Sequence, residues 1–186
     1  DIPRVDEINL NTTFTDKAYV RQSLSFEVYD WAGAPGCIAF PLRLQQNGQF
    51  HSIAMFVEQP ENELLAREGL DEEGALYKMF NAFTSGTSGV EKKTRRYENN
   101  DDLVAFVNSI NNLSGASLEQ YVFDNVNLPA MLNYLAATAV IQNNDWMAKN
   151  HYLYRDSDGT GEWMFLPWDV DLTFGLHFMS GASILG

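Results

Sequence analysis

At 186 residues, 45% apolar and 13% aromatic, the chain can bury one sizeable core, and its 20% charged content is ordinary for a globular domain. The formal net charge of −13 argues against sequence-independent binding to nucleic acid or anionic lipid, which need basic surface, and suits a basic partner or a cation. A single cysteine, Cys37, excludes an internal disulfide and a thiolate metal cluster, and no apolar run approaches the ~20 residues of a membrane span.

In chain order, residues 1–14 carry no periodicity and read as an extended lead-in; the start at Asp1, without Met, suggests a processed or excised fragment. From Thr15 to Ala32, Tyr19, Val20, Leu24, Val28, Tyr29 and Trp31 recur at helical spacing, and Gly33 stands where a helix would stop. Ile38, Phe40, Leu42 and Leu44 alternate strictly, as do Ile53, Met55 and Val57 across Asn47-Gly48. Both residues of that dipeptide tolerate positive φ, so the pattern predicts a β-hairpin over residues 37–58, with Cys37 as a small buried hydrophobe. Residues 59–83 are mixed and acidic. The Gly/Ser-rich, then basic stretch 84–100, with Lys92, Lys93, Arg95 and Arg96, reads as a solvated mobile loop. Helices are expected near 101–112, 117–126 and 128–143, the last with Pro129 in its first turn, followed by strands at 151–155 and 162–168. The fold class is therefore α+β, a small β-rich part leading into a helical part with a polar-ended β-hairpin.

Two stretches carry chemistry. In the first, Asp145 follows the apolar helix face of Met131, Leu132, Leu135, Ala139 and Val140, and Asn150 comes five residues later, just before a strand. A carboxylate where a buried helix emerges from the core is partly desolvated, which suits it to accept a proton. The second stretch, Pro167-Trp168-Asp169-Val170-Asp171, should deliver two carboxylates from a core strand. If the chain stays extended they share one face, where they repel unless a cation such as Mg²⁺ or Mn²⁺ lies between them. An Asp, an Asn five residues on, and a later Asp-rich turn form the polar order of a kinase site: proton acceptor, amide ligand to metal, carboxylate ligand to metal. Asp156-Ser157-Asp158-Gly159-Thr160-Gly161-Glu162 imitates an EF-hand loop, but position twelve would be Pro167 and the flanks are strand-like, so it reads as a hairpin turn. His51, His151 and His177 show no ligand spacing, and no nucleophile elbow, dinucleotide fingerprint or P-loop is present.

Asn144-Asp145-Trp146 through Asn150, Tyr152-Leu153-Tyr154-Arg155-Asp156, Trp163, and Pro167-Trp168-Asp169-Val170-Asp171 through Phe174-Gly175 together resemble the CotH family, the spore-coat protein H-like atypical kinases. Thr15-Asp16 with Val20-Arg21-Gln22, Leu42–Leu44 before Asn47-Gly48-Gln49-Phe50-His51, Phe56-Val57-Glu58-Gln59 and Gly74–Lys78 agree with it, so the resemblance covers residues 10–178. It implies a divergent protein-kinase-like fold spanning 1–186, using ATP and a divalent cation to phosphorylate Ser/Thr of partner proteins. The negative charge suggests that such a substrate is basic. The resemblance makes Asp145 the catalytic Asp, Asn150 a metal ligand, and Asp169 or Asp171 the metal-binding Asp. Glu58 becomes a lobe-connecting residue near the nucleotide, and Lys78 a candidate phosphate contact. A leading β-rich stretch of the family, with an Arg-Gly…Ser pattern and a Lys-rich strand, is not among these 186 residues, which implies the later, catalytic part of the unit. The resemblance suggests a cell-surface, spore-coat or secreted location. Two other functions stay open: a non-catalytic adhesin or coat scaffold with the same fold, and a metal-dependent glycosyltransferase using Asp169-Val170-Asp171, which leaves the Asp145…Asn150 spacing unexplained.

Overall fold

In the computed structural model, residues 7–12, 14, 16–147 and 149–176 are described; Thr15 and His177 lie outside that set. Their architecture is mixed α and β: two antiparallel sheets and five helices. The first sheet has the order β1-β3-β2, from β1 (Asn9–Asn11), β2 (Ala39–Gln46) and β3 (Gln49–Val57). Asn47 and Gly48 take φ of +52° and +78°, the doubly left-handed hairpin turn that the dipeptide predicts. The lead-in is more than extended, because Asn9–Asn11 pairs with Val57–Met55 as an edge strand.

Helix α1 (Arg21–Trp31) begins later than the spacing from Thr15 suggests. The reason is Asp16, whose buried carboxylate accepts the backbone N–H groups of Ala18, Val20 and Arg21 and holds those residues in a turn ahead of the helix. Gly33, at φ +81°, ends it as expected. The mixed segment resolves into α2 (Asn62–Arg67) and β4 (Ala75–Met79).

The second sheet has the order β5-β4-β6-β7, with β5 (Val90–Lys92), β6 (His151–Arg155) and β7 (Trp163–Pro167). The basic stretch is therefore ordered. Lys93 pairs with Glu61 and Glu91, and Arg95 bridges Glu98 and Asp158, pinning β5 and its exit to the neighbouring turns. Helices α3 (Asp101–Asn112), α4 (Gly115–Asn125) and α5 (Leu128–Val140) match their expected positions, and Asn127 caps α5 by accepting the Ala130 N–H. The EF-hand-like segment is the β6–β7 connection, where Asp156 accepts from Thr160.

The second sheet separates two cores. Leu76, Tyr152 and Tyr154 face Phe26, Tyr29, Met55, Leu64 and Tyr134; Tyr77, Met79 and Leu153 face Leu103, Phe106, Val126 and Trp163. Strands β4 and β6 are buried on both faces, which fixes the register of everything attached to their ends. No helix among the described residues is long and apolar enough to cross a membrane.

Candidate active site

The site is built where α5 and β7 both end, on either side of β6. After α5 the chain reverses at Gln142, φ +54°, and Asn143 is drawn inward: it donates to the Tyr29 hydroxyl at 3.2 Å and accepts the Asp145 N–H at 3.4 Å. Asp145 is half-buried, and Asn150, which is buried, donates from Nδ2 to Asp145 Oδ2 at 2.7 Å. A carboxylate only accepts here, so the amide's orientation is fixed and its Oδ1 is the end left to meet a cation. Behind this loop, His151 sets Nδ1 3.0 Å from the Trp146 carbonyl, which places the ring proton on Nδ1. Burial pushes the His151 pKa down to about 4, so the ring is neutral, and its Nε2 is buried without a partner.

The Trp168 N–H reaches the Asn150 carbonyl at 3.3 Å, joining the end of β7 to the start of β6. The next residue, Asp169, takes φ +51°, a left-handed conformation that Asp tolerates better than most side chains. The chain then turns at fully buried Val170. The extended geometry expected to put Asp169 and Asp171 on one face is therefore absent. The cause is steric and chemical: Val170 goes into the core, and the Thr173 hydroxyl captures its carbonyl at 3.1 Å.

Asp169 nonetheless sits in a negative field. Burial raises its pKa first, then the charge of Asp171, then that of Asp145, with Lys149 and Lys78 opposing. The structure thus brings Asp145, Asn150, Asp169, Asp171 and Lys78 into one neighbourhood. Lys78 Nζ lies 4.9 Å from the Trp168 ring centroid and 5.2 Å from that of Phe80; burial lowers its pKa, while Glu91 and Asp169 oppose that. A cleft of about 390 Å³ opens beside the carboxylates, lined by Asn11, Thr12, Gln22, Trp168, Asp169 and Asp171. No group of three His, Cys, Asp or Glu side chains that could hold a metal ion occurs among the described residues.

Glu58 is placed differently. It follows β3 and precedes α2, and it accepts the Ile38 N–H at 2.9 Å and the Arg67 guanidinium at 2.6 and 3.1 Å. Its described hydrogen bonds clamp α2 to the first sheet and do not run to the aspartates. Sequence reasoning put Tyr29 on a helix and Arg21-Gln22 within the family resemblance, but missed Ser25 and the fact that this face of α1 backs the site. The one local signal was a buried-type Asp, Asp16, five residues before Arg21, with which it forms an ion pair at 2.9 Å.

Comparison with known proteins gives this geometry its context. The CotH kinase protein family matches residues 2–181. Inner spore coat protein H of Bacillus subtilis (strain 168) is 27% identical over 182 residues, covering 91% of this chain and 50% of that protein. The chain thus spans about half the length of the curated relative it matches. With nearly its whole length matched, the chain belongs to the CotH family.

Proposed function

We propose that this CotH family member is the catalytic part of an ATP- and divalent-cation-dependent protein Ser/Thr kinase, with a divergent protein-kinase-like fold. The order of parts supports that fold: a small sheet with α1, a connector at Glu58, helices, and the β6–β7 hairpin between Asp145…Asn150 and Asp169. In this reading the substrate hydroxyl oxygen attacks the terminal phosphorus of ATP, ADP departs, and the hydroxyl proton passes to Asp145. Asn150 steadies Oδ2 of Asp145 and leaves Oδ1 toward the incoming hydroxyl.

The donor set fits a hard cation. Mg²⁺ binds through one or two carboxylates and keeps its remaining positions for water and substrate phosphates, so a three-carboxylate cage is not required. Asp169 and Asn150 Oδ1, with Asp171, would hold Mg²⁺ or Mn²⁺, whose charge offsets that of the phosphates when bound. Lys78, beside Asp169, would contact a phosphate, and Glu58 would keep the connector in place near the nucleotide. The net charge favours a basic protein substrate, and the relative's name favours a spore-coat setting.

One observation carries the reading: a half-buried Asp169 carboxyl whose pKa is raised by desolvation and then by the charges of Asp171 and Asp145, next to an Asn150 whose amide is oriented by Asp145. A cation removes that electrostatic cost. The test is a thermal-shift titration with ATP, alone and with Mg²⁺ or Mn²⁺, on the wild type and on Asp169→Asn/Asp171→Asn. A shift that needs both ligands and is lost in the variant supports the proposal; ligand at ~100 times its Kd adds about 2.7 kcal/mol. No shift, in this chain or in a longer form of the protein, would instead favour a coat scaffold without catalysis. The coat-protein name of the relative and the exposed Phe40, Phe50 and Ile53 of the hairpin suit that second reading.

A further inference from the structure

Helix α1 reaches both halves of the site through one stripe of side chains, Arg21, Ser25 and Tyr29, spaced four residues apart and therefore stacked on one face. Ser25 Oγ lies 3.0 Å from Thr173 Oγ1 and 3.4 Å from the Val170 carbonyl; Ser25 and Thr173 are fully buried. One turn earlier, Arg21 Nε donates to the Thr173 carbonyl at 3.3 Å while Nη1 donates to Asp16 at 2.9 Å. One turn later, the Tyr29 hydroxyl lies 2.8 Å from Thr138 Oγ1 and accepts from Asn143, the residue that receives the Asp145 N–H. The two loops also touch directly: the Phe174 N–H meets the Ile141 carbonyl at 2.7 Å, and Asn144 Nδ2 meets the Leu176 carbonyl at 2.8 Å. Helix α1 closes the third side of that triangle.

We infer that Ser25, Tyr29 and Thr173 are positioning residues, through which α1 sets the Asp169 turn against the Asp145 loop. The kinetic part of this inference rests on the phosphoryl-transfer reading; the geometric part does not. Ala, Phe and Val would fill the same space at these three positions, so packing alone does not account for the hydroxyls. What a hydroxyl adds is direction, and a buried hydrogen bond in a low-dielectric interior holds its partners tightly. Each contact also serves a different loop. Thr173 sits in the turn that carries Asp169 and Asp171, whereas Tyr29 holds the loop that carries Asp145 and Asn150. The first bears on the groups assigned to the metal–nucleotide, the second on the proton acceptor.

The test compares Thr173→Val, Thr173→Ser and Tyr29→Phe with the wild type. Thr173→Val should weaken Mn²⁺–ATP binding in calorimetry and raise KM about tenfold with kcat within about twofold, whereas Thr173→Ser, which keeps the hydroxyl, should behave as wild type. Tyr29→Phe should lower kcat about tenfold and leave Mn²⁺–ATP affinity unchanged. Val and Ser variants that behave alike would overturn the inference. So would kcat and affinity falling together in proportion to melting temperature in all three variants. Amide hydrogen exchange of the ligand-free protein separates this outcome from failure of the kinase reading. Exchange across 169–176 should accelerate in Thr173→Val and not in Thr173→Ser. If the wild type binds no nucleotide but that pattern holds, the brace stands and the kinase reading falls. Unchanged exchange in Thr173→Val overturns the brace itself.

Discussion

Replacing His151 with Phe and measuring both proteins at two pH values isolates one buried group behind the Asp145 loop. In the folded protein burial pushes the His151 pKa down from 6.5 to about 4, because Nε2 has no partner to stabilise an imidazolium. The folded state therefore takes up this proton less readily than the unfolded chain does. Stability is lost as pH falls below 6.5, and the loss levels off only near the folded value of about 4. The separation between those values sets a ceiling of about 3 kcal/mol, of which about 2 kcal/mol has accrued by pH 5. His151→Phe loses the bond to the Trp146 carbonyl, about 1 kcal/mol at any pH, but keeps a ring against Phe165, now 5.0 Å from the imidazole. Urea denaturation at about pH 7.5 and pH 5 then reads a difference of differences, in which the carboxylates common to both proteins cancel. The wild type should lose about 2 kcal/mol more than the variant between those two pH values, or roughly 4–8 °C in a melting experiment. Equal losses, or an imidazole that titrates near 6.5 by NMR, would refute the reasoning.

Three other substitutions have expected outcomes. Asp145→Asn should reduce phosphoryl transfer by about 10²–10⁴ while Mn²⁺–ATP affinity, read by calorimetry, stays as in the wild type; loss of both would mean that Asp145 holds the nucleotide. For Asp169, burial and the charges of Asp171 and Asp145 raise the folded pKa, so its contribution to stability is complete below 3.8 and is lost as pH rises through the folded value. Metal-free Asp169→Asn should accordingly melt higher than the wild type at neutral pH and lose that advantage in acid; a lower melting temperature at neutral pH would show that the carboxylate holds the turn. Asp16→Ala should cost about 3 kcal/mol in urea denaturation, because it strands the Arg21 guanidinium and leaves the N–H groups of Ala18, Val20 and Arg21 without their acceptor. A loss under about 1 kcal/mol would mean that water replaces the carboxylate.

The fold was legible wherever local chemistry agreed with the final environment. Asn47-Gly48 between alternating runs specifies its hairpin, the Asp/Gly-rich turn 156–162 between apolar runs marks the β6–β7 hairpin, and α3 to α5 carry helical patterns. The strands that escaped notice lacked such a pattern for identifiable reasons. Ala75–Met79 is packed on both faces, so the polar/apolar alternation that marks a half-buried strand never appears in its sequence. Asn9–Asn11 and Val90–Lys92 are only three residues long and exist as strands because β3 and β4 offer them partners. The basic run misread as a solvated loop has its charges answered by Glu61, Glu91, Glu98 and Asp158, acids that lie up to 63 positions away.

The site divides along the same line. Asp145, Asn150 and Asp169 are ordered along the chain by a five-residue gap and one hairpin, so sequence spacing finds them. The contacts that hold the Asp169 turn come from α1, 145 and 148 positions away, and apart from Asp16 ahead of that helix nothing local announces them. That turn needs such support. A left-handed Asp costs roughly 1 kcal/mol, and a half-buried carboxylate in the field of two others adds electrostatic cost. Neither cost helps the ligand-free fold, and either could be removed by a single substitution at Asp169. A conformation unfavourable in both backbone and charge stays in place because Ser25, Arg21 and Thr173 hold the turn around it. The most strained residue of the chain's polar order is thus also the one whose role is hardest to explain as packing.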